Sequence, residues 1–423
     1  MKIKTPFLYL FHICFSLFIL YVFRFLGFFG GELNISGLLN WDAGWIFNLV
    51  KNGYFFSETS QSNVAYFPLF PIIWKSFGLS AVGVSLLNLT FYFIGLSLLR
   101  KAYGFDNKFL LLFLAIPSTF FCFLPYTEAL FFLSCSIVLY GYRRSFPLLV
   151  FGLLLACLTR SASMIFIPII IISNLFNLDF SMSNLKRVAI QVGVCIVAFF
   201  LVQYYQYLEC GKMLGVFDVG EHWDRDWGVP QLFLTTWDKG RLVWLDGLAF
   251  MVGIFCLTTC FILLIRKIKK QNSKVAVDLL FAIGYLSVVT LSTSLYTGED
   301  AAGGSTLLSL NRYVFCTPFF VVLFHYLLKL NFDTKKSFFF FALFSLVIWS
   351  AFGFWDEINI GGTFKNSKTS TKIYFLFVFI YSYAHLLLSN RKIRTQLWVG
   401  VYFINVVLQL FLFNNFLNGM WIG

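Results

Sequence analysis

Charged side chains are scarce in this sequence. Only 12% of its 423 residues are Asp, Glu, Lys or Arg, against about a quarter in soluble domains. The rest is strongly apolar, with 59% hydrophobic residues, 57 phenylalanines and a mean hydropathy of +0.80. A water-soluble core cannot hide so many large apolar side chains, whereas a bilayer accepts them at its lipid-facing surfaces. The composition therefore predicts an integral membrane protein and excludes a soluble one.

Nucleotide-binding and metal-binding patterns are also lacking. The nine cysteines form no Cys-x-x-Cys pair and lie mostly in apolar runs, so zinc motifs and a disulfide framework are disfavoured. The predicted cytoplasmic loops carry no Walker A or Rossmann glycine pattern. A soluble nucleotide donor and an ATP-driven transporter are therefore disfavoured, and no nucleic-acid partner is expected.

Apolar runs of bilayer length recur along the whole chain. We predict one all-α polytopic domain over 1–423, with a first module at about 1–210 and more variable helices at about 211–423. About thirteen transmembrane helices are predicted, at 6–29, 80–99, 108–125, 127–142, 146–158, 161–178, 188–207, 246–265, 275–296, 312–330, 337–354, 372–389 and 395–413. The shorter segment 64–77 contains two prolines and is predicted to be re-entrant or interfacial.

Basic residues cluster in alternate loops, which predicts the orientation. With the N-terminus inside, the cytoplasmic loops hold most lysines and arginines. These include Lys2, Lys4, Arg100, Lys101, Lys108, Arg143, Arg144, Lys186, Arg187, Arg266, Lys267, Lys269, Lys270, Lys274, Lys329, Lys335, Lys336, Arg391, Lys392 and Arg394. The longer loops, at about 30–63, 208–245, 297–311 and 355–371, then face outward and carry most acids. A functional site is expected on that face.

The first outer loop predicts an amphipathic helix along the membrane surface. Trp41, Trp45 and Val50 share one helical stripe, and Gly53 suits its C-terminal end. Asp42 stands in the first turn. It is either a helix cap beside interfacial tryptophans or a base that accepts a proton from an attacking hydroxyl.

Three more charged residues are predicted at the outer boundary. Glu128 is either an acid that faces water at a tight turn or a site carboxylate, because an acid at that depth is costly unless paired or hydrated. Arg160 and Arg312 either reach lipid headgroups or grip a phosphate, which suits the forked donors of arginine.

The outer loop around 221–228 combines a histidine, carboxylates and tryptophans. His222 and Asp224 could contact a metal or a sugar, although their spacing is not that of a zinc site. A charged surface turn is the alternative interpretation.

Four motifs in order resemble the PIG-V family, the glycosylphosphatidylinositol mannosyltransferase 2 enzymes and their bacterial relatives. They are Trp-Asp-Ala-Gly-Trp at 41–45 with Asn-Gly-Tyr at 52–54, Ala-Tyr-Phe-Pro-Leu-Phe-Pro at 65–71, Tyr-Thr-Glu-Ala-Leu at 126–130, and Leu-Thr-Arg-Ser at 158–161. The resemblance implies a C-type glycosyltransferase (GT-C) fold. It also implies transfer of mannose from dolichyl-phosphate mannose, or a bacterial polyprenyl-phosphate equivalent, with the family's essential acid at Asp42.

The function expected from these features is transfer of mannose, or a similar hexose, to a lipid-linked or glycan acceptor with inversion. Asp42 would act as base, Arg160 and Arg312 would hold the donor phosphate, and Glu128 would orient a substrate or pair with Arg160.

The candidate substrate contacts are Trp41, Trp45, Tyr66, His222 and Asp224, in addition to Glu128. No cofactor is required, and a divalent ion near Asp42 and Glu128 is left open. The expected partners are the lipid-phosphate sugar, the acceptor and membrane lipids.

Three other functions remain open. They are a transporter or flippase, a non-catalytic subunit of a glycan assembly complex, and a polymerase or ligase acting on lipid diphosphates. A bacterial inner membrane is favoured as the location, and the endoplasmic reticulum is the alternative.

Overall fold

The computed structural model is built almost entirely of helices. It describes residues 5–30, 34–176, 181–219, 221–223, 225–231, 234, 244–269, 275–298, 305–307, 309–329, 339, 342–343, 346 and 391–422. The α-helices are α1 (Thr5–Phe25), α2 (Asp42–Asn52), α3 (Leu69–Phe77), α4 (Ala81–Tyr103), α5 (Asn107–Leu114), α6 (Glu128–Arg144), α7 (Phe146–Thr159), α8 (Phe166–Phe176), α9 (Met182–Cys210), α10 (Trp244–Ile268), α11 (Val277–Leu295), α12 (Leu310–Phe315), α13 (Pro318–Leu328) and α14 (Arg391–Leu417).

Short elements connect these helices. Among the described residues there are six 3₁₀ turns, at Ile35–Leu39, Asn63–Ala65, Pro117–Phe123, Ser161–Ile165, Gly215–Phe217 and Glu221–Trp223. Strands β1 (Asp226–Trp227) and β2 (Tyr296–Thr297) pair antiparallel. The helical prediction is therefore right except for this two-residue ribbon between two outer loops.

Six helices in the described part of the chain are long and apolar enough to cross a bilayer: α1, α4, α9, α10, α11 and α14. A seventh span arises if Pro117–Phe123 and α6, bent by 100°, are taken together. Large apolar side chains such as Phe18, Phe200 and Phe261 lie on the surface of these helices, where only lipid would cover them. The chain is thus a multi-pass membrane protein. The predicted spans at 337–354 and 372–389 lie outside the described residues or nearly so.

Two predicted spans are broken. The run at 108–125 ends as a helix at Leu114 and continues as the 3₁₀ turn from Pro117, and the run at 312–330 splits before Pro318. Proline cannot donate a helical hydrogen bond, which explains both breaks. At the first break Gln409 of α14 donates to the carbonyls of Leu114 and Ile116, at 3.0 and 3.2 Å. Backbone groups that the break frees inside the bundle are thereby satisfied.

The segment at 64–77 forms the 3₁₀ turn Asn63–Ala65 and helix α3, which ends at Gly78 in the left-handed conformation. Nine residues of helix are too few to cross a bilayer. The structure therefore agrees with an interfacial or re-entrant segment at this position.

Helix α6 links two charged clusters at opposite ends of the bundle. Its last turn carries Arg143, whose Nε lies 3.0 Å from Asp278 of α11. Tyr103 of α4 donates to the same carboxylate at 2.8 Å. Glu128 begins the helix fifteen residues earlier, about 22 Å away along the axis. The predicted cytoplasmic and outer charges thus lie at the two ends of one buried helix.

Candidate functional site

Helix α2 places Asp42 at the rim of the site. The preceding residue, Trp41, is the N-cap with φ 58° and makes no side-chain capping bond. Such a conformation is strained for a residue other than glycine. The carboxylate of Asp42 caps nothing: it accepts from Tyr66 Oη at 3.1 Å and meets Arg312 Nη1 at 2.8 Å. The capping interpretation is therefore wrong.

The buried stripe of α2 differs from the predicted one. Its buried residues are Ala43, Ile46, Leu49 and Val50, whereas Trp41 is exposed. Of the predicted stripe Trp41, Trp45 and Val50, only Val50 is buried, and aliphatic side chains fill the rest of the buried face. The consequence is that α2 turns its tryptophans toward the outer loops beside Asp42.

Glu128 is the buried centre of the cluster. Its side chain is 1% exposed at the start of α6. Its Oε1 lies 2.6 Å from Arg312 Nη2 and 2.9 Å from Arg160 Nη1. This burial contradicts the interpretation that Glu128 faces water at a tight turn. Glu128 Oε2 is buried and has no hydrogen-bond partner, so the carboxylate keeps one acceptor for a further ligand.

Arg312 joins both carboxylates. It lies in the short helix α12, which follows Ser309 in the left-handed conformation, and its side chain is 5% exposed. Besides its contact with Asp42, it donates to Glu128 Oε1 through both Nε and Nη2. The guanidinium lies 4.7 Å from the ring centre of Tyr126, which shields it from solvent.

Arg160 enters from the opposite side of Glu128. It is the C-cap residue of α7, where the helix ends in extended backbone. Its side chain is 12% exposed and lies between the rings of Phe131 and Tyr313. An arginine that reaches lipid headgroups would be exposed, so this structure contradicts that alternative.

The four charged groups alternate in sign along one chain of contacts: Asp42, Arg312, Glu128, Arg160. Two guanidiniums would repel each other at this spacing, and Glu128 offsets that repulsion. Only Asp42, at 21% exposed, reaches the open side. The cluster can therefore present one carboxylate to an incoming hydroxyl while keeping two cations directly behind it.

Tyr66 completes the surroundings of Asp42. Burial, followed by the negative charge of Asp42, raises the pKa of Tyr66 well above its ordinary value. Tyr66 therefore stays protonated and donates its hydrogen to the carboxylate across the working pH range. Its own backbone carbonyl accepts from Tyr54 Oη at 2.6 Å, which ties this loop to the end of α2.

The two tryptophans predicted as substrate contacts pack against tryptophans from two different parts of the chain. Trp45 lies edge-on to Trp223 with ring centres 5.4 Å apart, and Trp41 lies edge-on to Trp421 at 5.0 Å. His222 belongs to the same turn as Trp223. Asp224 lies outside the described residues.

Sequence reasoning missed the contribution of the C-terminal end. Asn40 Nδ2 donates to the carbonyl of Phe416 at 2.8 Å, and Trp421 packs on Trp41. Neither residue stands in a recognisable motif. An asparagine directly before Trp41 and a tryptophan after the last predicted span were the only available signals.

No group of three or more metal-ligating side chains that could hold an ion occurs within the described ranges. Asp42 and Glu128 are instead bridged by Arg312. The guanidinium of Arg312 thus lies between the two carboxylates, at the position considered above for a divalent ion.

The chain matches no known family model and no curated protein. Among solved structures it is similar to ArnT from Cupriavidus metallidurans bound to undecaprenyl phosphate, with a TM-score of 0.48 and 12% identity. The alignment covers 97% of this chain and 77% of that chain.

Proposed function

We propose that this multi-pass membrane protein is a glycosyltransferase of the C type. It would transfer mannose, or a similar hexose, from a polyprenyl-phosphate or dolichyl-phosphate donor to a lipid-linked or glycan acceptor. The reaction would take place on the outer or lumenal face and invert the anomeric carbon. The observation that carries this proposal is the buried chain of alternating charges that ends at the more exposed Asp42.

Asp42 suits the role of general base. It is the most exposed member of the cluster, and an acceptor hydroxyl can approach it from the outer side. In the proposed step the acceptor oxygen forms a bond to the anomeric carbon while the bond from that carbon to the phosphate oxygen breaks. The hydroxyl proton passes to Asp42, and the lipid phosphate leaves.

Arg160 and Arg312 suit the leaving phosphate. Each guanidinium carries five N–H donors in a planar fork, which matches the geometry of phosphate oxygens. A phosphate beside them would draw Arg312 from Asp42 and leave that carboxylate able to take a proton. Positive charge placed where the leaving group gains negative charge stabilises the transition state. Glu128 would keep the two arginines together throughout.

Transfer of radiolabel from polyprenyl-phosphate mannose tests the proposal. Full-length protein in lipid vesicles is compared with Asp42→Asn, using extracted membrane glycolipids and water as acceptors. We expect label in a product with the wild type and a loss of at least about a hundredfold in the variant, as is usual for removal of a general base.

Asp218→Asn is the matched control, because Asp218 is an exposed outer-loop acid paired with Lys212. It should transfer label like the wild type. Equal transfer by Asp42→Asn would remove Asp42 from the reaction. No transfer by the wild type, with other polyprenyl-phosphate sugars also supplied, would point to a transporter or a non-catalytic subunit.

A further inference from the structure

Two glutamines on α9 are buried with unused hydrogen-bonding groups. Gln203 and Gln206 are both 0% exposed. Neither the carbonyl nor the amide nitrogen of Gln203 has a partner, and Oε1 of Gln206 has none. Gln206 Nε2 donates to the carbonyl of Val64 at 2.8 Å. Three side-chain polar atoms on one short stretch of a membrane helix are therefore unsatisfied.

Such atoms are costly. An amide moved from water to an apolar environment without partners loses about 2–7 kcal/mol, and lipid offers no replacement bonds. The other buried glutamine on this helix, Gln191, accepts from Tyr142 and donates to the carbonyl of Arg187. The exception at Gln203 thus indicates a group that arrives from outside the chain.

The position of the pair relates it to the charged cluster. Helix α9 contacts the turn Ser161–Ile165, which directly follows Arg160. Gln206 touches Val64, two residues before the Tyr66 that donates to Asp42. Gln206 therefore lies beside the chain segment that carries Tyr66, and the helix that bears both glutamines also contacts the segment that follows Arg160.

The side chains packed with Val64 are apolar and aromatic, and the charged residues at the edge of this cluster are Glu209 and Lys212. Lys212 is paired with Asp218 at 2.8 Å. Trp223 packs in the same small cluster as Val64, its Nε1 is buried without a partner, and its ring meets Trp45. Carboxamides that offer both donor and acceptor, beside tryptophan rings, match vicinal hydroxyls. A phosphate would instead require cations, and the two arginines suited to one lie in the neighbouring cluster around Glu128.

We propose that Gln203, Gln206 and Trp223 form a subsite for a neutral polyhydroxyl group, the sugar or polyol headgroup of the acceptor. That this ligand is the acceptor rests on the proposed function, whereas the preference of the subsite for hydroxyl groups does not. Gln203 would exchange a donor and an acceptor bond with neighbouring hydroxyls, and this would orient one of them toward Asp42.

Equilibrium binding of radiolabelled n-octyl mannoside to the full-length protein in nanodiscs tests this subsite. Saturating polyprenyl phosphate is present to fill the donor site. Gln203→Leu removes both polar atoms and keeps the volume, and Gln191→Leu is the matched control on the same helix. We expect Gln203→Leu to weaken binding about tenfold or more and Gln191→Leu to leave it within twofold.

Octyl phosphate in excess should not displace the mannoside. Displacement by octyl phosphate, no binding by the wild type, equal loss in both variants, or unchanged binding in Gln203→Leu would each overturn the proposal. The last result would mean that ordered water occupies the position.

The transfer assay on the wild type separates this inference from the proposed function, because binding of octyl mannoside does not require sugar transfer. If the wild type shows no transfer but binds octyl mannoside in a way that depends on Gln203, the subsite is supported and the proposed enzyme function is refuted.

Discussion

At the scale of single residues, the site depends on one buried carboxylate. Glu128 receives both arginines on the same oxygen, at 2.6 and 2.9 Å. A buried ion pair is weak support for stability, because desolvation offsets the attraction, but removal of one partner leaves charges that nothing compensates. Asp42 is different, because it is more exposed and Arg312 retains Glu128 without it.

We therefore expect Glu128→Gln to cost about 3–5 kcal/mol of stability and to abolish transfer. Asp42→Asn, the same neutralisation at the rim, should abolish transfer with a clearly smaller loss. Thermal unfolding of both variants in the same lipid measures the difference. Equal losses of stability would contradict the central role of Glu128.

Tyr66 tunes the same carboxylate. Its O–H donates to Asp42 at 3.1 Å and holds the carboxylate in place. Tyr66→Phe removes that bond, so the transfer rate should fall about tenfold. In the wild type the bond should persist at alkaline pH, because the raised pKa of Tyr66 keeps its hydroxyl protonated.

Transfer rates of the wild type and Tyr66→Phe at neutral and alkaline pH check both expectations. Tyr54→Phe is the control, since its hydroxyl bonds the carbonyl of Tyr66 and not Asp42. An equal loss in both variants, or no loss in Tyr66→Phe, would show that the bond to Asp42 does not support transfer.

At the scale of elements, two distant chain segments shape the start of α2. The turn Ile35–Leu39 contacts the end of α14. Asn40 donates a hydrogen bond to Phe416 in the last turn of α14, and Trp41 packs on Trp421 just beyond that helix. Gly37 allows the closest approach: a Cβ there would fall about 2.0 Å from the carbonyl oxygen of Leu417. Backbone on both sides leaves no side chain to move away.

Gly37→Ala should therefore separate this turn from α14, lower the thermal stability by about 1–3 kcal/mol and reduce transfer by displacing Asp42. Gly30→Ala is the matched control, because a Cβ at that position meets nothing within 4 Å. Thermal unfolding and the transfer assay measure both effects. Wild-type behaviour of Gly37→Ala would show that this contact does not position α2.

At the scale of the whole molecule, the two ends of α6 differ in their charge. The cluster at Glu128 is buried and balanced, whereas the end at Arg143 and Arg144 adjoins exposed basic loops. Because short cytoplasmic loops tend to be basic, we predict that the Arg143 end faces the cytoplasm and that the site faces outward. A lipid-phosphate donor would then reach the site from the outer leaflet.

Introduced cysteines test that orientation. In a background with Cys14→Ser and Cys210→Ser, Asp226→Cys at the exposed ribbon should react with an impermeant maleimide in intact cells. Arg144→Cys, exposed at the other end of the bundle, should react only after permeabilisation. The background protein alone is the control, and the reverse pattern would invert the topology.

Local properties of the sequence predicted a large part of this molecule. Apolar run length predicted the long helices, and the shorter apolar run at 64–77 correctly predicted a segment too short to cross the bilayer. Gly53 was correctly predicted to end α2, where it has φ 78°. These features depend on neighbouring residues only, so a linear pattern is enough to find them.

Tertiary structure alone decided how the charged residues combine. Glu128 and Arg312 are 184 residues apart, and the sequence named both without indicating that they bond. The same holds for Gln203 and Gln206, which look like ordinary polar residues until packing removes them from water. Pairing and desolvation depend on which helices meet and at what depth, so they are properties of the packed bundle and not of any segment in it.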